Sequence, residues 1–260
     1  MSHTSFLEGY VPGESLLHKL DPRSKLVTTL AFVVAVVMTP PGAWKAFGLY
    51  FLLVATLVIL SRVPVFYLLK RTLVIVPFVL VIALFLPFLK PGEAAGSYNI
   101  WLWQISVSRS GLVLLGSVMV KAWLSVLSML VLSSTTEFPA LLQGLERLGL
   151  PRVMVMLFSF MYRYLFVMVE EVNRMRLARD SRNLGRKRMW QIRSVGNMIG
   201  TLFLRSYERG ERIYQAMVSR GFEGEVRTMN RLRLGRADLG FAVAFLLYLA
   251  VVALASHLWL

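Results

Sequence analysis

The 260-residue sequence contains no cysteine, so disulfides, thiolate nucleophiles and thiolate metal ligands are all excluded. Acidic residues are scarce, 14 against 29 Lys and Arg, giving a formal charge of +15. None falls in the interior of a long apolar run, so the intramembrane carboxylates that couple a secondary transporter to an ion gradient are missing. Only three histidines occur, His3, His18 and His257, too scattered to suggest a metal site and each read as surface or interfacial. There is no G-x-x-x-x-G-K-[ST] phosphate loop to cradle a nucleotide, and no cluster of Asp, His and Ser that would serve a membrane enzyme. The first 20 residues lack an apolar core, so no signal peptide is expected and the first apolar run is read as the insertion signal. The expectation is a non-enzyme with no metal and no cofactor of its own.

What the chain has in excess is apolar surface: 57% of residues are hydrophobic and the mean hydropathy is +0.63, well above an ordinary soluble domain. These residues gather into runs near the ~20 residues needed to cross a bilayer. Asp21 and Pro22 read as a helix cap and first turn, opening a span over 22–39. Further spans follow at 44–61, at 72–89 with kinks expected from Pro77 and Pro87, at 111–132 with small residues for close packing, and at 239–260. The fold class expected is all-α: a polytopic membrane protein of about five spans, divided into 1–132, a basic region 133–237 and a terminal helix 238–260.

Charge sets the topology, because Lys and Arg are retained in the cytoplasm. Residues 133–237 carry 19 of the 29 cations, whereas the opposite loops hold only Lys45, Lys90 and Arg109. The N-terminus is therefore expected inside and the C-terminus outside. The apolar stretch 153–169 is long enough to compete as a sixth span, but crossing there would export the arginine-rich part, so 151–171 is read as a helix packed under or partly into the membrane. Lys121 and Arg163 lie in apolar helices; snorkelling, pairing within the bundle and a functional role all remain open for them.

Within the basic region the sequence predicts a short helix over 137–148, closed by Gly149 and Pro151, then long amphipathic helices over 152–182 and 194–220. Glu170 with Arg174 and Glu208 with Arg212 have the favourable i,i+4 order. The methionines among them, such as Met161 and Met168, suit an adaptable packing surface better than a metal site. Both long helices end alike: Ala178-Arg-Asp-Ser181-Arg182-Asn183 and Ala216-Met-Val-Ser219-Arg220-Gly221. Asn and Gly accept the left-handed conformation that ends a helix, which leaves an arginine in each last turn, suited to carboxylates on a partner. Compensation of the helix dipole, chance repetition, or attraction to anionic lipid would account for the same residues. Nucleic acid is disfavoured, since no binding motif accompanies the charge.

With YVPGESLLHKLDPRSKL at 10–26, STTEFPALLQGLERLGLP at 134–151 and RSYERGERIYQAMVSRGFEG at 205–224, the chain resembles the CbiQ/EcfT family, the transmembrane coupling subunits of energy-coupling-factor importers, over nearly its whole length. The resemblance implies that 133–237 is a cytoplasmic coupling region in a bacterial or archaeal plasma membrane protein. It also implies that Ser181, Arg182 and Asn183, and Ser219, Arg220 and Gly221, occupy the places of two arginine-centred motifs, each docking on one of two ABC-type ATPase subunits. Ser stands where the family usually has Ala, and Asn183 where it has Gly. ATP and magnesium would then be bound by those partners, and a separate substrate-binding membrane subunit would carry the cargo. Cobalt or nickel is favoured, with a shared vitamin-importing role as the alternative and a self-sufficient secondary transporter as a more distant one.

Overall fold

In a computed structural model the Asp21-Pro22 pair does what its chemistry predicts: the Asp21 carboxylate accepts from the Arg23 backbone N–H, and Pro22 opens a helix. The structure describes residues 10–13, 15–74, 76–83, 94–100, 103–182, 188–224 and 235–258. Their elements are α1 (Leu16–Lys19), α2 (Pro22–Met38), α3 (Trp44–Ser61), α4 (Val65–Leu73), α5 (Val76–Ala83), β1 (Ala94–Ile100), β2 (Trp103–Ser108), α6 (Arg109–Thr135), α7 (Phe138–Arg147), α8 (Arg152–Arg182), α9 (Arg188–Val218) and α10 (Arg236–Leu258). The architecture is that of an all-α polytopic membrane protein with one short hairpin.

Four described helices are long and apolar enough to cross a membrane: Trp44–Ser61, Arg109–Thr135, Arg152–Arg182 and, within α10, Arg236–Ser256. α2 has 17 residues, at the lower limit of the length required. The run expected as a single span over 72–89 is divided. Its helix begins earlier, at Val65, where Leu68 and Thr72 turn one buried face inward, so most of the link 62–71 is helical. It then stops at Leu73, four residues before Pro77, whose ring would clash with the Leu73 carbonyl and which has no N–H to offer it. Pro87 lies outside the described residues.

Residues 94–100 and 103–108 pair as antiparallel strands, in register from Ser97↔Ser106 to Ile100↔Trp103. Trp103, Ile105 and Val107 alternate with Gln104, Ser106 and Ser108, the period-two pattern of a strand.

The chain divides into two compact units. In the first, residues 1–144 and 232–260, α6 packs on α2, α3, α4 and α5, and α10 packs on α2 and α3. Its core joins Phe32 and Val36, Tyr50 and Val54, Leu124 and Leu127, and Phe245 and Leu249. The Phe32 and Tyr50 rings meet edge to face at 5.7 Å. Gly116 leaves room for Trp44: a Cβ there would lie 3.0 Å from the indole, so this small residue sets how closely α3 and α6 approach. The second unit, 145–231, contains α8 and α9.

Candidate functional site

α8 has the bounds the sequence predicts, 152–182, and α9 runs from 188 rather than 194. Glu170 and Arg174 pair at 3.0 Å as their spacing suggests. Glu208 and Arg212 form no ion pair among the described residues, so this part of α9 does without that support. The two helices are joined instead by an ion pair from Arg205 of α9 to Glu171 of α8. Beside it a cleft of about 300 Å³ opens between them, lined by Phe160, Tyr164 and Met168 from one helix and Arg209, Ile213 and Met217 from the other. Met168 and Met217 line this cleft, and among the described residues there is no group of three or more His, Asp or Glu placed to hold a metal ion.

The two recurrent motifs stand at the ends of this pair. At the first, Ser181 and Arg182 are exposed in the last turn of α8, and the Ser181 hydroxyl donates to the Leu177 carbonyl at 2.8 Å. The neighbouring Arg179 is engaged by Asp180 at 2.8 Å, whereas Arg182 has no ion-pair partner among the described residues. Asn183 lies outside the described residues. At the second, the helix end closes in a complete left-handed cap. Gly221 has φ +79°, its N–H donates to the Val218 carbonyl at 3.0 Å, and the Phe222 N–H donates to the Met217 carbonyl at 3.1 Å. Only a residue without Cβ takes that φ freely, which is why Gly221 follows the arginine. Ser219 and Arg220 are exposed on the capped turn, the Ser219 hydroxyl bonded to the Ala216 carbonyl. Arg220, like Arg182, has no ion-pair partner among the described residues.

Glu171 faces Arg205, and the cleft runs from there back along α8 to Phe160 and forward along α9 to Met217, so the helices are antiparallel and Arg182 lies beyond the crossing in one direction and Arg220 in the other. At a 1.5 Å rise per residue the two guanidinium-bearing ends stand roughly 30–40 Å apart, depending on the crossing angle. Two chemically equivalent exposed arginines at opposite ends of one helix pair can each meet a carboxylate-bearing surface on a separate protein. Neither can meet both.

The lone cations have different fates. Lys121 donates to the Val37 and Thr39 carbonyls at 2.9 and 2.5 Å, so it finishes the C-terminal end of α2 and is paired within the bundle. Arg163 is exposed on α8 without an ion-pair partner among the described residues.

One constellation has no counterpart in the sequence reading. Lys25 is only 4% exposed and donates to the Thr135 carbonyl and the Thr136 hydroxyl at 3.2 and 3.1 Å. The buried Asp238 carboxylate accepts from the Asp21 N–H and, through its other oxygen, from the Gly235 N–H, both at 2.8 Å. The Val11 N–H donates to Ser134, and the His18 ring joins Ser15 to the Val11 carbonyl. Burial, and then the Glu137 carboxylate, hold the nearby Tyr10 hydroxyl above its ordinary pKa. The starts of α2 and α10 and the end of α6 therefore meet at one face of the bundle. The signal in the sequence was the polar string Asp21-Pro22-Arg23-Ser24-Lys25 at the head of an apolar helix, with nothing local to name its partners.

The model of the CbiQ family, described as cobalt transport protein, matches residues 13–230. An uncharacterised protein of Methanocaldococcus jannaschii is 25% identical over 98% of this chain and 87% of its own. The energy-coupling factor transporter transmembrane proteins EcfT of Brevibacillus brevis and Listeria innocua are 29% and 27% identical, over 94% and 89% of this chain and 95% and 90% of theirs.

Proposed function

The chain belongs to the family of the cobalt transport protein CbiQ, and from that premise we propose that it is the transmembrane coupling subunit of an energy-coupling-factor importer. ATP, with magnesium, is bound and hydrolysed on two partner ATPase subunits. Their motion is received by Ser181-Arg182-Asn183 and Ser219-Arg220-Gly221, passes through α8 and α9, and reorients a separate substrate-binding membrane subunit. The observation that carries this reading is the pair of exposed arginines, free of ion pairs among the described residues, at opposite ends of two crossed helices. A guanidinium so placed makes bidentate, charge-assisted bonds to a carboxylate on each partner. Cobalt or nickel is the proposed cargo, in keeping with the family's description; a vitamin is the alternative, suited by the opening YVPGESLLHKLDPRSKL at 10–26.

The proposed orientation has the N-terminus and 133–237 in the cytoplasm and the C-terminus outside, in a plasma membrane. Charge favours it, and so does parity. Thr135 and Asp238 both join the start of α2 at one face of the bundle, so residues 136–237 cross the bilayer an even number of times. α8 satisfies the length and composition of a span, whereas α9 is not among the described helices that do. A lone crossing by α8 would strand Asp238 on the wrong side.

The test is co-purification and uptake, with the ATPase and substrate-binding subunits co-expressed. Arg182→Ala and Arg220→Ala should each weaken docking, by about 2–5 kcal/mol where the partner acid is desolvated. The double variant should nearly abolish uptake at unchanged membrane abundance. Replacing Arg186, Lys187 and Arg188 together should do less harm than Arg182→Ala. Equal losses in the control and the motif variants would reduce the effect to bulk charge and remove the assignment.

A further inference from the structure

The join between α2, α6 and α10 lies where α6 ends, ahead of α7 and of the end of the first unit's leading segment at Gly144, and its bonds are of an unusual kind. Two helix N-termini share one carboxylate: Asp238 closes the cap of its own helix at Gly235 and at the same time takes the Asp21 N–H at the head of α2. Asp21 in turn caps α2 and pairs with Arg23 at 3.8 Å. The opposite pole is a helix C-terminus, where the Lys25 ammonium meets the last carbonyl of α6. Carboxylates at helix starts and an ammonium at a helix end are each favoured by the dipoles they face. Asp21 and Asp238 are also the acidic groups that act on Lys25.

The hold continues past α6. Lys25 grips the Thr136 hydroxyl, one residue beyond the helix. α7 then lies against the head of α2 through Gly144, where an added Cβ would come within 3.1 Å of Leu26 and 3.3 Å of Pro22. Both approaches are tighter than ordinary carbon contact. An apolar residue would fill the same space without losing hydration, but it would leave the Thr135 carbonyl without its donor and the two carboxylates without their cation. What the lysine and Gly144 add is a fixed position for residues 135–144 against α2.

We propose that Lys25 and Asp238, with Gly144, form an anchor that fixes the exit of α6 and the seat of α7 on α2, so that displacement of α8 and α9 is passed to the membrane bundle. They are positioning residues. This rests on the coupling role proposed above, and it makes transport per ATP, rather than ATPase docking, the quantity that depends on them. An exit free to pivot at 135–137 would absorb the motion locally.

The experiment uses the complete complex in liposomes, with ATP hydrolysis, substrate uptake and the ratio of subunits measured together for Lys25→Met, Thr136→Val and Gly144→Val. Lys25→Met removes the ammonium at similar length, and Gly144→Val lifts α7 from α2 without removing a charge, its Cβ meeting Leu26, Pro22 and, at 3.5 Å, the Arg23 backbone nitrogen. The expected result is subunit ratio and hydrolysis near the parent's, with uptake per ATP lowered about fivefold or more, the ordinary size of coupling between linked sites. Gly144→Val reproducing the effect of Lys25→Met would tie it to the seat of α7 and not to charge. If uptake and hydrolysis fall together, or uptake falls only with the amount of assembled complex in all three variants, the anchor is merely structural and the proposal is overturned. Unchanged uptake per ATP overturns it as well. Failure of the parent chain to co-purify with ATPase subunits would instead refute the coupling reading itself.

Discussion

A lysine within an apolar helix is tolerated when its hydrogen-bonding capacity is used, and Lys121 spends its own on the Val37 and Thr39 carbonyls at the end of α2. Lys121→Met should therefore act on stability alone. Leaving those carbonyls without a donor costs about 1–3 kcal/mol, to be read as earlier unfolding in mixed detergent micelles, while uptake per folded molecule stays at the parental value. Loss of uptake with unaltered unfolding would instead place Lys121 on a transport path. The contrast with Arg182 and Arg220 is instructive. All three are cations near helix termini, but Lys121 serves a helix of its own chain, while the two arginines are exposed and without ion-pair partners among the described residues.

Among the elements, the crossing of α8 and α9 is joined electrostatically, among the described residues, by the Arg205–Glu171 pair. Glu170–Arg174 lies along one exposed helix and contributes no more than about 0.5 kcal/mol. Arg174→Ala should consequently leave the geometry of the tips intact, whereas Glu171→Ala should loosen it. Spin labels on cysteines placed at 182 and 220 read this directly, since the chain has no cysteine of its own. The parent should give a single distribution centred at roughly 30–40 Å, broadened by Glu171→Ala and unchanged by Arg174→Ala. A broad distribution in the parent would mean that the crossing is not a fixed element and could not carry motion between two partners.

For the molecule as a whole, the balance of charge and the shared face of α2, α6 and α10 lead to the same topology. A single cysteine at position 42 should react with an impermeant maleimide in intact cells. One at 186 should react only after the membrane is opened. Labelling of 186 from outside would require α8 to cross, and with it an even number of crossings in 136–237 that the charge of α9 opposes.

The division between what sequence and structure decide follows the range of the forces involved. Helix limits and caps are settled within a few residues, so Asp21-Pro22, the stop at Gly149, the bounds 152–182 and the left-handed Gly221 could be read from the chain directly. The early end of α4 follows from Pro77 in the same local way, and the alternation of Trp103, Ile105 and Val107 was equally legible as a strand although the length of the neighbouring apolar runs obscured it. Net charge, the missing phosphate loop and the two A-x-x-S-R endings are properties of composition and order, legible without any fold, and the class of protein came from the family resemblance carried by those endings and by the stretches at 10–26 and 134–151. Partner choice is different. Asp238 meets Asp21 across 217 positions and Lys25 meets Thr135 across 110. No periodicity relates those residues. Each has donors or acceptors that any counterpart could satisfy, and only the packing of α2, α6 and α10 around Phe32, Leu127 and Phe245 brings these particular helix ends to one place, where burial makes leaving them unpaired too costly.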